Sequence, residues 1–251
     1  MVEFPDMFLN VPDVVMKINP LLPNLLIFFS VIGCTEEKPA KPPVVQLAPA
    51  ADVIRETLLR EDATTIHIDQ LPVTDDDLSA LHGNPVITNL LLDESEVTDD
   101  GIAIIASMPN LIHLRVRSNL TDACIDQLLK LEKLQFLNLP YADFTDEGMQ
   151  QLATHPRIQL LRLRSPKLTD ACMPAVASMN NLAFLHLIEI PITDKGLVAL
   201  HDNSALQSLY LDDSRTTQVG LSKLIERQPM LHLHINQAHL DSDPHKDDHE
   251  H

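Results

Sequence analysis

Tryptophan is absent and aromatic residues make up only 4% of the 251, so a folded core has to be aliphatic. Glycine is scarce, at 6 residues, which leaves no glycine-rich loop to cradle a phosphate. The 3 cysteines are too few for a disulfide framework. Cations are short too: Lys+Arg is 18 against Asp+Glu 36, a formal net charge of -18. That balance argues against nucleic acid or an anionic membrane as the partner of the whole surface, although a local basic patch is still allowed. No apolar run reaches the ~18 residues of a spanning helix. Nucleophile elbows, His-Glu-x-x-His and phosphate loops are all missing. No catalytic residue, and therefore no enzyme or cofactor, is expected.

What is present begins with an address. Residues 21–32 read LLPNLLIFFSVI and are followed by Gly33-Cys34, an apolar run of the length of a signal-peptide h-region. Val31-Ile32-Gly33-Cys34 resembles the lipobox of bacterial lipoproteins. The resemblance implies cleavage before Cys34, acylation of its thiol and a lipid anchor on the cell envelope, on the outer-membrane or periplasmic side. Glu3, Asp6 and Asp13 precede Lys17, the wrong charge for a signal n-region, and Met16-Lys17 reads as the natural start. Residues 35–50 carry Pro39, Pro42, Pro43 and Pro49 among several charges. Such a segment stays extended and works as a tether. The expected organisation is a leader over 1–34, a tether over 35–50, a capping helix over 51–61, a repeat domain over 62–240 and an Asp/His-rich tail over 241–251.

The remainder is one repeat. Thr-Asp recurs at Thr74, Thr98, Thr121, Thr145, Thr169 and Thr193, and Thr217-Gln218 continues the series. Upstream of these positions lies an L-x-x-L-x-L string, as in Leu134/Leu137/Leu139 and Leu182/Leu185/Leu187. Downstream comes a small residue and an apolar pair at helical spacing, as in Gly148-Met149-x-x-Leu152. A period of ~20–50 residues is the mark of a solenoid. These phrases strongly resemble the leucine-rich repeat family, in the T-D-x-G-L subclass shared by bacterial repeat proteins and F-box proteins. The resemblance implies an α/β solenoid of about eight repeats, with a curved parallel sheet on the concave face and short helices on the convex face. A ubiquitin-ligase role does not carry over, because no F-box precedes the repeats.

The same residues explain the fold physically. Alternation at L-x-L turns the leucines inward and their neighbours outward. Thr is a good helix N-cap, and the Asp beside it faces the positive end of the helix dipole. The family's asparagine after the strand is mostly replaced, leaving part of the turn's hydrogen bonding to the Thr caps. Asp75-Asp76-Asp77 and Asp99-Asp100 read as caps rather than as a calcium ladder. Cys124 and Cys172 occupy the small slot held elsewhere by Gly101, Gly148 and Gly196, and read as buried thiols. At two repeats apart, or at least ~9.6 Å, they lie beyond disulfide reach.

Function is expected on the outward strand positions. His113, Arg115 and Arg117 fall on the third strand, Phe136 and Asn138 on the fourth, and Arg162 and Arg164 on the fifth. Phe184 and His186 follow on the sixth, and Tyr210 on the seventh. Four of the chain's nine arginines are in this set, and arginine with aromatics is the composition of a binding hot spot. The sequence suggests four mutually repelling guanidiniums framing Phe136, with no acid on the fourth strand to relieve them. His113 and His186 flank the frame and are expected to gain charge near pH 6. The partner implied is a protein or acidic peptide, or an anionic glycan if the chain is a structural envelope protein. No metal is expected, and the best candidates for one would be His245, His249 and His251 in the tail.

Overall fold

The computed structural model describes residues 49–236 and the backbone of Ala238–His239. Cys34, residues 35–48 of the expected tether and the histidines of the tail lie outside the described residues, and the last expected tether residue, Ala50, already begins the capping helix. Helix α1 (Ala50–Leu58) comes first, then eight strands that alternate with short helical segments. The strands are β1 (Thr65–Ile68), β2 (Asn89–Leu92), β3 (His113–Val116), β4 (Phe136–Leu139), β5 (Leu160–Arg164), β6 (Phe184–Ile188), β7 (Ser208–Asp212) and β8 (His232–Ile235). They pair in parallel and in chain order, and β9 (Ala238–His239) closes the end antiparallel to β8. Among the described residues no helix is long and apolar enough to cross a membrane.

Register fixes what faces inward. Leu90, Leu114, Leu137, Leu161, Leu185, Leu209 and Leu233 form one row through successive pairings, and none has any exposure. At one end the sheet meets α1, whose Ile54 is fully buried. Cys124 and Cys172 are free and fully buried in the same core. Burial drives the Cys172 thiol up to about 12, helped by Asp146, so the thiol form persists at neutral pH.

The return segments are short: α2 (Asp99–Ile105), α3 (Ile125–Leu128), α4 (Asp146–Leu152), α5 (Met173–Ala177), α6 (Asp194–Leu197) and α7 (Gln218–Arg227). Helices this short are unstable alone and depend on caps and packing. Each of Thr98, Thr121, Thr145, Thr169, Thr193 and Thr217 caps the helical turn after it by accepting a backbone N–H on its hydroxyl. The aspartates do more than face a dipole. Each accepts both donors of the next repeat's threonine. Thr145 gives its N–H to Asp122 Oδ1 at 3.0 Å and its hydroxyl to Oδ2 at 2.6 Å. The same pair of bonds joins Thr98 to Asp75, Thr121 to Asp99, Thr169 to Asp146, Thr193 to Asp170 and Thr217 to Asp194. These donors hold the Asp194 carboxyl below the usual carboxylate range.

The ends of this ladder differ as its logic requires. Thr74 has no preceding rung and bonds locally to Asp77 instead. The last threonine, Thr217, is followed by Gln218, where there is no further threonine to receive. The ladder takes over the inter-repeat role of the missing asparagines.

Candidate functional site

Three columns of side chains run across the outer face of the sheet. The middle one passes through His67, Leu91, Arg115, Asn138, Arg162, His186, Tyr210 and His234. Arg115 and Arg162 therefore flank Asn138 and not Phe136. Asn138 is buried at 7% exposure, and its Oδ1 lies 3.5 Å from Arg162 Nη1. Phe136 sits one column away, edge-on to His113 at 5.8 Å. The expected aromatic inside an arginine frame is replaced by an amide, because register and not strand membership decides which side chains adjoin.

The frame is not free of acid either. Asp93, just after β2, takes Arg115 Nη2 on its Oδ2 at 2.6 Å and lies beside His67 Nε2 at 2.8 Å. Arg117 Nε approaches the other oxygen of Asp93 at 3.0 Å without hydrogen-bond alignment. Glu189 bonds Arg164 and holds that guanidinium firmly charged. Glu189 adopts φ 52, a left-handed turn uncommon for glutamate. The acids come from neighbouring strands, which corrects the expectation of four unrelieved guanidiniums.

Arg162 is the exception. Among the described residues no carboxylate pairs with it directly. Its Nε donates to His186 Nδ1 at 3.2 Å, and His186 Nε2 reaches Asp212 Oδ2 at 2.8 Å. With Nδ1 accepting, His186 is neutral and carries its proton on Nε2, which donates to Asp212. Burial, and then Arg117, pull the Arg162 guanidinium below its ordinary value. Burial and Arg162 lower His186, outweighing the bond to Asp212. Burial and Arg115 push His113 down to about 4. His113 therefore stays neutral near pH 6, contrary to the sequence expectation, and His186 is shifted in the same direction, because both are half-buried beside an arginine.

Together with His155, lowered by burial, these groups set a pH window. Their folded-state values lie below that of an unfolded histidine, ~6.5. The unfolded chain therefore binds more protons below that pH, and stability is full above ~6.5 and falls toward pH 4. For His113 alone the loss should be ~2 kcal/mol after allowing for its partial exposure. Urea midpoints across this range should drop in the parent and flatten in His113→Phe. An unchanged slope in that variant would refute the assignment.

Between the arginines lies a shallow concavity of about 290 Å³, lined by Arg117, Pro140, Tyr141, Arg162, Arg164 and Glu189. Arg115 Nε and Arg117 Nε are buried without a hydrogen-bond partner among the described residues. Tyr141 at 48% exposure escaped the sequence reading, since it lies beyond the last strand position. The signal for it was its place directly after Pro140, which continues the outward column. Farther along, Phe184 stacks on Tyr210 at 4.8 Å, and Tyr210 stacks on His234 at 4.1 Å. Phe184 and Tyr210 thus belong to an aromatic cluster that joins the arginine site through His186, whose ring lies 5.5 Å from Tyr210.

No family model matches the chain, and no curated protein matches it. Solved structures do. The internalin C2 of Listeria monocytogenes aligns over 79% of this chain and 88% of its own, at 18% identity and a TM-score of 0.50. The fold is a leucine-rich-repeat solenoid. A second Listeria monocytogenes internalin, inlF, is 22% identical over 73% of the chain at a TM-score of 0.49, and the chain spans about half of its length, 54%. The Arabidopsis receptor kinase HAESA, solved with the peptide hormone IDA and the co-receptor SERK1, is 13% identical over 75% of the chain, which covers 41% of the kinase, at a TM-score of 0.46. On this leucine-rich-repeat scaffold the arginine concavity occupies the middle repeats, where strands on both sides hold its walls.

Proposed function

We propose that this chain is a non-enzymatic leucine-rich-repeat binding module whose concave face takes an acidic segment of a protein or peptide partner. The observation that carries this is Arg162, a guanidinium lining the concavity whose side-chain bonds go to His186 and Asn138 and which pairs with no carboxylate among the described residues. A partner carboxylate offers Arg162 the charge-assisted acceptors that a neutral imidazole and an amide do not. The leader motif at Cys34 supports a lipid-anchored module on the cell envelope. A second reading, an anionic glycan, is favoured by exposed Tyr141 beside Arg164, since a sugar ring can stack on the phenol while its acid meets the guanidinium.

The test uses a glutamate-rich peptide and an anionic oligosaccharide as probes, with binding measured by fluorescence anisotropy at two salt concentrations. Binding should weaken with salt, and Arg162→Glu with Arg164→Glu should weaken it ~10–100-fold. Arg115 is a poorer choice for reversal, because a glutamate there would face Asp93. The probe that binds more tightly identifies the partner class. Equal binding of either probe by the double variant and the parent would end the concave-site reading. Detergent-phase partition of the full chain, lost in Cys34→Ala, tests the anchor separately.

A further inference from the structure

Among the described residues a histidine–carboxylate pair occurs twice on the outer face, at the same repeat position. His67 Nε2 lies 2.8 Å from Asp93 Oδ2, and His186 Nε2 lies 2.8 Å from Asp212 Oδ2. What differs is where the arginine stands. Arg115 is on the strand after Asp93, and the carboxylate takes it directly at 2.6 Å. Arg162 is on the strand before His186, opposite it in register, so the imidazole stands between the guanidinium and Asp212. Arg162 gives its Nε–H to His186 Nδ1 at 3.2 Å.

We infer that His186 is the specificity-determining residue of the arginine concavity: it occupies Asp212 and gives Arg162 a neutral acceptor, so that the guanidinium is left for a carboxylate of the partner. The inference rests on the reading of the concavity as a site for an acidic segment. Asp212 is near enough for its charge to act on Arg162. Its backbone is fixed, the carbonyl accepting from the Glu189 N–H at 2.8 Å. A carboxylate with a guanidinium in reach takes it, as Asp93 takes Arg115, because a charge-assisted bond is about twice as strong as a neutral one.

The imidazole prevents this in two ways. Its ring fills the space, with only 13% of the side chain exposed. It also has one donor and one acceptor when neutral. The donor, on Nε2, is committed to Asp212, and the lone pair of Nδ1 meets Arg162. On its other side Arg162 meets the neutral amide of Asn138. The arginine is thus oriented from both neighbouring strands without being neutralised. Glutamine at 186 could do the same, its Oε1 facing Arg162 and its amide N–H facing Asp212, whereas alanine could not.

The full chain and its variants are compared by fluorescence anisotropy with a glutamate-rich peptide and its glutamine counterpart. The titrations run at ~pH 7.5, above the ~6.5 of an unshifted imidazole. The parent should prefer the glutamate peptide. His186→Ala should cut that preference ~10-fold, as Arg162 turns to Asp212, while His186→Gln should keep it. Removing the carboxylate as well, in His186→Ala with Asp212→Ala, should bring the preference back, because nothing is left to capture the arginine. These residues lie on the outer face, and circular dichroism checks that the solenoid persists in each variant. A ring needed only for its shape would leave the double variant no better than His186→Ala, and that result would overturn the inference. An undiminished preference in His186→Ala would overturn it too, with the concave-site reading intact. A parent that prefers neither peptide would overturn that reading, and the inference with it.

Discussion

Leu161→Ala should lower stability by ~2–5 kcal/mol, while Arg162→Ala, the next residue along the same strand, should change it by less than ~1 kcal/mol. Leu161 has no exposure and is flanked in register by Leu137 and Leu185, equally buried. Truncation opens a cavity that the neighbours cannot fill. The strands on either side are hydrogen-bonded, and their returns are clamped by the aspartate rungs. Removing Arg162 gives up two hydrogen bonds to His186 and Asn138 but relieves its repulsion with Arg117. In a solenoid, stability is a sum over neighbouring interfaces. Leu137→Ala and Leu185→Ala should therefore cost about as much. Urea midpoints followed by circular dichroism read the series. If Arg162→Ala fell with the leucines, the inward and outward columns would be exchanged, as a one-residue slip demands.

The near-constant period is what made the fold legible before any coordinates. It placed every leucine of the inner row and every residue of the outer columns correctly, because alternation along a strand is a local property. Contacts between repeats were the harder part. Asp93 follows β2 and continues its alternation, yet its pairing with Arg115 and Arg117 depends on what the adjacent strand sets opposite it. Reading down each column would have revealed it, and the same reading would have put Asn138 between the arginines. The depressed histidines were hidden for a related reason. Their charge is decided by burial under neighbouring rows and by a guanidinium one strand away, neither of which a strand's own sequence states.

The aspartate ladder is the instructive case. Thr-Asp was read as a local cap with a local dipole partner, which accounts for the threonine but not for the repetition of the acid. The missing clue was Gln218. A dipole would favour an acid there as much as elsewhere, whereas a rung is pointless without a following threonine.

The rung also explains the glycine, and so makes a sharper experiment. Gly148→Ala should destabilise the solenoid by ~3 kcal/mol, the value of two hydrogen bonds to a charged acceptor. A Cβ at Gly148 would lie 1.9 Å from Asp122 Oδ1 and 2.4 Å from its carboxyl carbon. The carboxylate must leave, and both bonds to Thr145 leave with it. Gly101, Gly196 and Gly220 face Asp75, Asp170 and Asp194 in the same way. Where cysteine fills the slot, the segment opens as a 3-10 turn, Asp122–Cys124 or Asp170–Cys172. There the rung is kept, Thr121 bonding Asp99 and Thr169 bonding Asp146. Asp122→Ala alone should cost about as much as Gly148→Ala. Their combination is decisive. Once Asp122 is gone nothing obstructs the methyl, and alanine is the better helix former by ~1 kcal/mol. The double variant should thus be more stable than Asp122→Ala alone, a coupling of the kind only residues in contact show. Additive losses in a double-mutant cycle would mean that glycine is needed there for some reason other than the carboxylate.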